Sequence, residues 1–269
     1  MTKRFLSFLL TTCLAVAAPH VGAQDAMGKI KGDGVIKVGI NPDYRPFGMR
    51  DNSGAIVGIE PDLAQDIGKR LGVKVEMVPV QPSNRIQFLQ QGRIDLILST
   101  MTFNAERAKV VKFIEPFYYA GGTGLIGRKG QNLKGWEDLR GKTVCGVQGT
   151  YYNRPLTEKY GVKIAAFADV SQAVNALMNN ACTAFVEDST LVAQMVADPK
   201  MKDFEQLLPP DDMQPWGLAI DLKSQGTSYE KFLKDTVAAW HRDGTLLSIE
   251  KKWGLAESQW LLNARAQQK

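Results

Sequence analysis

The chain has 269 residues, 44% of them hydrophobic, and a formal net charge of +5, so it is long enough for one large core or two smaller ones. Its charges are scattered rather than gathered into a basic stripe, which argues against nucleic-acid binding. Three cysteines and two histidines without zinc-type spacing argue against a metal site and a histidine-based catalytic centre, and we expect no cofactor.

The N-terminus predicts a cleavable export signal. Lys3 and Arg4 precede an apolar segment over residues 5–18, and a small-residue cleavage motif ends at Ala23. The apolar segment is short for a transmembrane helix. Cleavage after Ala23 would leave 246 residues with a net charge of +3. We therefore expect residues 1–23 to be a signal peptide and the mature protein to be soluble and periplasmic.

The next part of the chain alternates between strand and helix patterns. Apolar runs predict strands, and apolar residues spaced by four between Pro or Gly boundaries predict helices. In chain order these are strand Val35–Ile40, helix Pro61–Leu71, strand Val73–Val80, helix Ser83–Gln91 and strand Ile94–Leu98. This βαβαβ order is typical of a doubly wound parallel sheet.

A hydroxyl-rich turn follows the third strand. Thr100 and Thr102 precede Asn104, a good helix N-cap, and Arg107 stands where Ala108–Val111 would continue a helix. Ligands of open α/β sheets bind where strands end, and a cation at a helix start favours an anion. The alternative is that Arg107 points into solvent or pairs with a surface carboxylate.

The pattern begins again after residue 130. The predicted elements are a short helical turn at Trp136–Leu139, strands Thr143–Val147, Val162–Phe167 and Thr183–Val186, helix Ser171–Met178, a returning strand at Gln214–Ile220, and helices Tyr229–His241 and Thr245–Trp253. The sequence therefore predicts an α/β protein with two doubly wound lobes joined by two crossings. We expect lobe 1 to comprise residues 24–119 and 215–269, and lobe 2 residues 120–214, with a hinge near 119–122 and 209–215.

Two cysteines remain after the signal. Cys145 and Cys182 each lie in an apolar, strand-like run, in a compartment that permits disulfides. If the two strands are neighbours, a bridge is expected; the alternative is two buried free thiols.

The order and spacing of several short motifs resemble the bacterial periplasmic amino-acid-binding proteins of ABC importers, solute-binding protein family 3. The matching segments are Gly39–Phe47, Gly58–Leu63, Gly92–Leu96, Thr100–Arg107, Gly149-Thr150 and Asp188-Ser189. The resemblance spans essentially the whole mature chain. It implies a type II periplasmic-binding-protein-like fold that closes on a free amino acid and delivers it to a membrane permease. We expect a monomer that is not an enzyme.

The resemblance also implies how the ligand backbone is held. The α-carboxylate would lie on Arg107, helped by Thr102 and Thr150, and a guanidinium fork suits that group. The ammonium would meet Asp188, with oxygens around Thr100 and Thr102 completing the shell. The alternative role for Asp188 is a helix N-cap, and its neighbour Glu187 is expected at the surface.

Four positions bear on the ligand side chain. Tyr44 matches an aromatic position that covers it, whereas Phe47 is more typical of core. Asn41 is neutral where binders of cationic amino acids are often acidic. Arg85 matches an arginine that reaches the distal carboxylate in an acidic-ligand branch; the alternative is an exposed arginine. Together these favour a polar or acidic amino acid.

Two other functions are compatible with the same fold. A periplasmic cyclohexadienyl dehydratase would need a general acid, for which Glu187 or Glu60 could serve. A ligand-sensing module that docks on a separate receptor is the other.

Overall fold

The computed structural model describes residues 26–268, so the predicted signal peptide and its cleavage site lie outside the described residues. The first group of elements is α1 (Ala26–Asp33), β1 (Val35–Ile40), β2 (Asp43–Tyr44), β3 (Gly48–Arg50), β4 (Ile56–Val57), α2 (Ile59–Leu71), β5 (Lys74–Pro79), α3 (Arg85–Gln90), β6 (Leu96–Ile97), α4 (Ala105–Ala108) and β7 (Lys112–Phe113).

A second group follows. It consists of β8 (Tyr119–Arg128), β9 (Thr143–Val147), α5 (Asn153–Tyr160), β10 (Lys163–Phe167), α6 (Val170–Met178), β11 (Ala184–Asp188), α7 (Ser189–Ala197), β12 (Phe204–Gln206), β13 (Asp211–Trp216), β14 (Ala219–Ile220), α8 (Ser228–Asp243), α9 (Thr245–Lys252) and α10 (Gln259–Gln267). Short 3₁₀ helices lie at Trp136–Leu139, Pro199–Met201 and Leu222–Ser224. Within residues 26–268, no helix is both long and apolar enough to cross a membrane.

The first lobe is built on a five-stranded sheet with the order β5-β1-β6-β14-β7. β1 is parallel to both β5 and β6, which confirms the predicted βαβαβ unit. Helix α2 covers this sheet because its spaced apolar residues Leu63 and Ile67 are fully buried, and it ends as predicted at Gly72, whose φ of 72° is left-handed. A small antiparallel sheet of β2, β3 and β4 lies beside it.

The second lobe has the strand order β10-β9-β11-β8-β12, with β9 parallel to its two neighbours. The long antiparallel strand β8 was not predicted, because its glycines resemble a break in structure. One of them, Gly124, shows why they are needed: a Cβ there would lie 2.9 Å from both Ser189 Cα and Val192 Cγ2 of α7. Gly124 therefore lets helix α7 lie directly on the strand.

The two crossings between the lobes run side by side. β8 pairs with β13 in an antiparallel arrangement, with Tyr119 opposite Trp216 and Gly121 opposite Gln214. Phe47 packs against this pair, with ring centroids 5.0 Å from those of both Tyr119 and Trp216. An aromatic cluster thus joins lobe 1 to the start of the crossings.

Two predicted elements are shorter or divided. The strand expected at Ile94–Leu98 is shortened to the two residues of β6. The strand expected at Gln214–Ile220 is split into β13 and β14. The division falls at Gly217, where a Cβ would lie 2.8 Å from Phe113 Cδ1. The chain therefore passes so close to an aromatic ring that a side chain would not fit at this position.

A disulfide joins Cys145 to Cys182, with their Cα atoms 5.5 Å apart. The two residues lie on or next to β9 and β11, which are neighbours in the sheet, with Cys145 opposite Phe185. The predicted bridge is confirmed, and the alternative of free thiols is wrong.

The bridge is expected to stabilise lobe 2. It joins residues 37 apart, and constraining a loop of that size in the unfolded chain contributes about 3–4 kcal/mol. Replacing both cysteines by serine should lower the free energy of unfolding by about that amount, measured by urea denaturation. Reductant should destabilise the wild type and leave the double variant unchanged. Equal unfolding midpoints for the wild type and the double variant, each with and without reductant, would contradict a stabilising role for the disulfide.

Candidate ligand-binding cleft

A cleft between the two lobes brings together residues from the carboxyl ends of several strands. The lining residues of lobe 1 are Asn41, Tyr44, Pro82, Arg85, Thr100, Thr102 and Arg107. Those of lobe 2 are Val147, Thr150, Tyr151, Tyr152, Val170 and Glu187. Seven of the eight residues predicted for the site line this cleft; the eighth, Asp188, lies beside it on β11.

Arg107 contacts both lobes. Its Nη1 donates to the Thr102 carbonyl at 2.7 Å and its Nη2 donates across the cleft to the Gly149 carbonyl at 2.9 Å. Burial and the nearby Arg85 lower the pKa of Arg107 to about 9, so the side chain remains a cation at neutral pH. Arg107 does not pair with Glu106, whose carboxylate accepts a bond from Lys109.

The turn that carries Arg107 is a single helical turn. Asn104 Oδ1 caps it by accepting from the Arg107 N–H at 2.8 Å, as predicted. The helix expected over Ala108–Val111 is wrong, because α4 ends at Ala108 and the β-branched pair Val110-Val111 leads into strand β7. A helix this short has a weak dipole, so guanidinium groups are the main source of positive potential here.

Arg85 is the second cation of the cleft. It opens helix α3, is only 3% exposed, and its Nη1 donates to the Ser99 carbonyl. Its Nε has no hydrogen-bond partner among the described residues. The alternative of an exposed arginine is therefore wrong. Asn41 is buried nearby, and its Oδ1 accepts from the Asp43 N–H at 3.0 Å.

Two adjacent carboxylates lie at the end of β11. Glu187 is 2% exposed and lines the cleft, so the expected surface position is wrong; β11 continues two residues past the predicted end at Val186. Burial raises the pKa of Glu187 to about 7, against the opposing influence of the Tyr152 hydroxyl and the Asp188 N–H. Tyr152 is a cleft residue that the sequence pattern did not indicate.

Asp188 has two different oxygens. Oδ1 accepts from the N–H and the hydroxyl of Thr190, both at 2.9 Å, and so caps α7. Oδ2 is buried and has no partner among the described residues. Burial raises the pKa of Asp188 to about 8. The N-cap role is therefore present, and one oxygen is still free.

The hydroxyl and aromatic residues differ in how they face the cleft. Thr150 donates both its N–H and its hydroxyl to the Val147 carbonyl, at 3.3 and 2.8 Å, so a ligand carboxylate would compete for these donors. Tyr44 is buried, and its hydroxyl has no partner among residues 26–268. Phe47 is fully buried in the aromatic cluster, as expected for core.

Further contacts join the lobes across the cleft. The Asp43 carboxylate, on β2, accepts from the N–H and the hydroxyl of Ser171 in the first turn of α6, both at 2.9 Å. Gly149, with a φ of 80°, approaches so closely that a Cβ would lie 2.7 Å from the Pro82 carbonyl oxygen. These contacts and the Arg107 bond to Gly149 show the lobes in a closed arrangement.

Residues 36–256 match the family model of the bacterial extracellular solute-binding proteins, family 3. The chain belongs to this family. Among its relatives, the glutamate/aspartate import solute-binding protein of Salmonella typhimurium is 29% identical over 269 residues, covering 94% of this chain and 87% of the relative. As a solute-binding protein of a transporter, the chain is not an enzyme.

Solved structures show the same fold. A mutant of the arginine-binding protein ArgBP from T. maritima is 31% identical, with a TM-score of 0.79, over 85% of this chain and 98% of that one. An ancestral amino-acid-binding protein described as a precursor of cyclohexadienyl dehydratase is 28% identical, with a TM-score of 0.74, over 84% and 98%. The two-lobed fold of this solute-binding protein is thus that of type II periplasmic binding proteins.

The Asp43–Ser171 contact should help to hold the lobes closed. Asp43→Ala removes two hydrogen bonds from a partly exposed carboxylate, which corresponds to about 1–2 kcal/mol. We expect the ratio of closed to open molecules to fall by about fivefold to thirtyfold. The measurement is the distance distribution between spin labels at exposed positions of the two lobes, Lys69 and Lys163.

A matched control is Asp51→Ala. Asp51 also accepts from a serine N–H and hydroxyl, those of Ser53, but within lobe 1. The control should leave the distance distribution unchanged. If Asp43→Ala and Asp51→Ala behave alike, the contact has no part in closure.

Proposed function

We propose that this protein captures a free amino acid with a polar or acidic side chain and delivers it to the permease of an ABC importer. One observation carries the proposal: the cleft is lined by two cations, Arg107 and Arg85, on lobe 1 and by the carboxylate of Glu187 on lobe 2, with the buried Asp188 carboxylate beside it. A zwitterionic amino acid presents both charges, so it satisfies both lobes at once. The Salmonella relative is named for glutamate and aspartate import, which agrees with the acidic preference.

The ligand carboxylate would lie on Arg107, with donors from Thr102 and Thr150. A guanidinium can bind a carboxylate through two parallel bonds, and Arg107 already points into the cleft. The ammonium would take the free Oδ2 of Asp188, with Thr100 nearby. A cation at that position favours the ionised form of Asp188, which burial alone disfavours.

The ligand side chain would face Tyr44, Asn41 and Arg85. Tyr44 provides an aromatic wall, and Asn41 adds no negative charge. The unpartnered Nε of Arg85 is a buried donor that an acidic or amide side chain could accept from. A buried donor is costly to leave unpaired, which favours a polar ligand over an apolar one.

Capture would proceed by closure. We propose that residues 24–119 with 215–269, and residues 120–214, move as two bodies about the paired crossings at 119–122 and 209–215. A ligand bound first to one lobe would be enclosed when Arg107 and Gly149 meet. The same proposal includes a periplasmic, monomeric protein released by cleavage after Ala23.

The charge of Arg107 should dominate affinity. Removing one partner of a charge pair shielded from water costs about 2–5 kcal/mol, so Arg107→Ala should weaken amino-acid binding by tens-fold to thousands-fold. Calorimetry on the folded variant measures this. Arg154→Ala, an exposed arginine paired with Glu158, is the control and should bind normally. Unchanged affinity in Arg107→Ala would overturn the assignment of the carboxylate site.

A thermal-shift screen against the free amino acids tests the ligand class. A ligand that binds only the native state raises the melting temperature, and a hundredfold excess over Kd adds about 2.7 kcal/mol. We expect glutamate, aspartate or their amides to stabilise the wild type, and the stabilisation by the acids to be lost in Arg85→Gln. Stabilisation by arginine or lysine alone would reject the polar or acidic preference.

A further inference from the structure

One peptide group at the floor of the cleft is held between two buried charges. Arg85 Nη1 donates to the carbonyl oxygen of Ser99, and the N–H of Thr100 donates to Glu60 Oε1 at 2.5 Å. That carbonyl and that N–H belong to the same peptide group. Its C=O therefore faces the cation and its N–H faces the anion, so the peptide dipole is aligned favourably with both charges.

Glu60 lies behind this peptide. It is in the first turn of α2, is fully buried, and does not line the cleft, whereas Arg85 does. The Tyr118 hydroxyl donates to the same Oε1 at 2.5 Å, and Oε2 has no partner among the described residues. Burial raises the pKa of Glu60 to about 7, against the opposing influence of the Tyr118 hydroxyl, the Thr100 N–H and Arg85. Above that pH the positive charge faces the ligand space and the negative charge lies beneath it.

The peptide itself is in an unusual conformation. Thr100 has a φ of 41°, in the left-handed region that non-glycine residues seldom occupy. Such conformations persist where the surroundings over-determine them, and they cluster at ligand sites. Here the bond from Thr100 to Glu60 and the bond from Arg85 to Ser99 hold the peptide from both sides.

Other charged and titratable groups also surround Arg85. Burial lowers the pKa of Arg85. Nearby groups oppose this by raising it, and in order of size they are Glu60, Tyr118, Tyr152 and Glu187. Of these, the two tyrosines are neutral at physiological pH because burial raises their pKa values. The carboxylates that compensate Arg85 are therefore Glu60 and Glu187, with Glu60 the stronger.

We propose that Glu60 sets the side-chain specificity of the cleft from behind the Ser99–Thr100 peptide. Its negative charge offsets Arg85 and so limits how strongly the cleft prefers an acidic side chain over the neutral amide of the same shape. Glu60 is a positioning residue rather than a ligand contact. The inference rests on the proposed function, in which Arg85 faces the side chain of a bound amino acid.

Glu60→Gln separates charge from geometry. Glutamine keeps an oxygen that can accept from Thr100 and Tyr118, and removes the negative charge. Calorimetry above the raised pKa of Glu60 of about 7, for example near pH 8, gives the Kd of glutamate and of glutamine for wild type and variant. The ratio of the glutamine Kd to the glutamate Kd should rise by about tenfold or more, since the lost unit charge acts through the protein interior, where the effective dielectric is about 20 rather than about 80. Aspartate and asparagine serve where that pair binds instead.

Asp62→Asn is the matched control. Asp62 lies two residues further along α2, and its carboxylate accepts from Lys252 and Trp253 on the outside of the lobe. This variant loses the same charge without facing Arg85, so the glutamine-to-glutamate ratio should stay at the wild-type value. A ratio that rises equally in Asp62→Asn would show a general charge effect and overturn the role of Glu60.

A second variant keeps the inference testable if Glu60→Gln does not fold. Tyr118→Phe removes one donor to Oε1, which favours protonation of Glu60 and should shift the ratio in the same direction by a smaller factor. Ratios at the wild-type value in every folded variant of Glu60 and Tyr118 overturn the inference. If the wild type binds neither acidic nor amide ligands, the specificity inference fails with the acidic preference, while binding of another amino acid keeps the proposed capture.

Discussion

The compensation of buried charge is the constraint on which the rest of the structure depends. Arg85, Glu60, Glu187 and Asp188 are each at most 3% exposed, and a charge removed from water is costly unless another charge or dipole replaces its hydration. On the side that faces the cleft, lobe 1 presents cations and lobe 2 presents carboxylates. Neither set is fully compensated within its own lobe, so the two halves are complementary across the cleft.

Closure follows from the same constraint. The lobes are connected by the paired crossings of β8 and β13, and the bonds of Arg107 to Gly149 and of Ser171 to Asp43 join them across the cleft. Contacts of this kind are partly exposed and contribute little individually. The open and closed forms can therefore lie close in free energy, and a zwitterion that binds the closed form better is enough to shift the population.

The sequence was informative where local rules decide structure. The spacing of Leu63 and Ile67 and the stop at Gly72 predict α2, and the apolar runs around the two cysteines predict the two strands that the disulfide joins. The sequence was uninformative where packing against an element far away in the chain decides the local structure. Gly124 of β8 is required by α7, which lies 65 or more residues further along the chain. Glu187, expected at the surface, is buried because β11 extends to Asp188 rather than ending at Val186.

The candidate site likewise has parts that the local sequence predicts and parts that depend on distant residues. The hydroxyl turn and Arg107 were found because a strand end, an N-cap and a cation occur together within a few residues. The proposed role of Glu60 cannot be predicted in that way. It depends on a bond to Thr100, 40 positions away, and on a left-handed backbone conformation that the residue type does not predict.

Asp188 shows that a helix cap can leave one carboxylate oxygen without a partner among the described residues. Its Oδ1 is fixed by two bonds from Thr190, which also fixes the direction of Oδ2. The carboxylate lies so close to β8 that a Cβ on Gly121 would be 2.1 Å from Oδ2, so only glycine can occupy that position without moving the carboxylate. Capping thus holds the free oxygen in place before a ligand arrives, and a pre-organised acceptor loses less entropy on binding. The residue pattern Asp188-Ser189-Thr190 supports either role from sequence alone; the cap is observed, and its geometry is compatible with the proposed ligand contact.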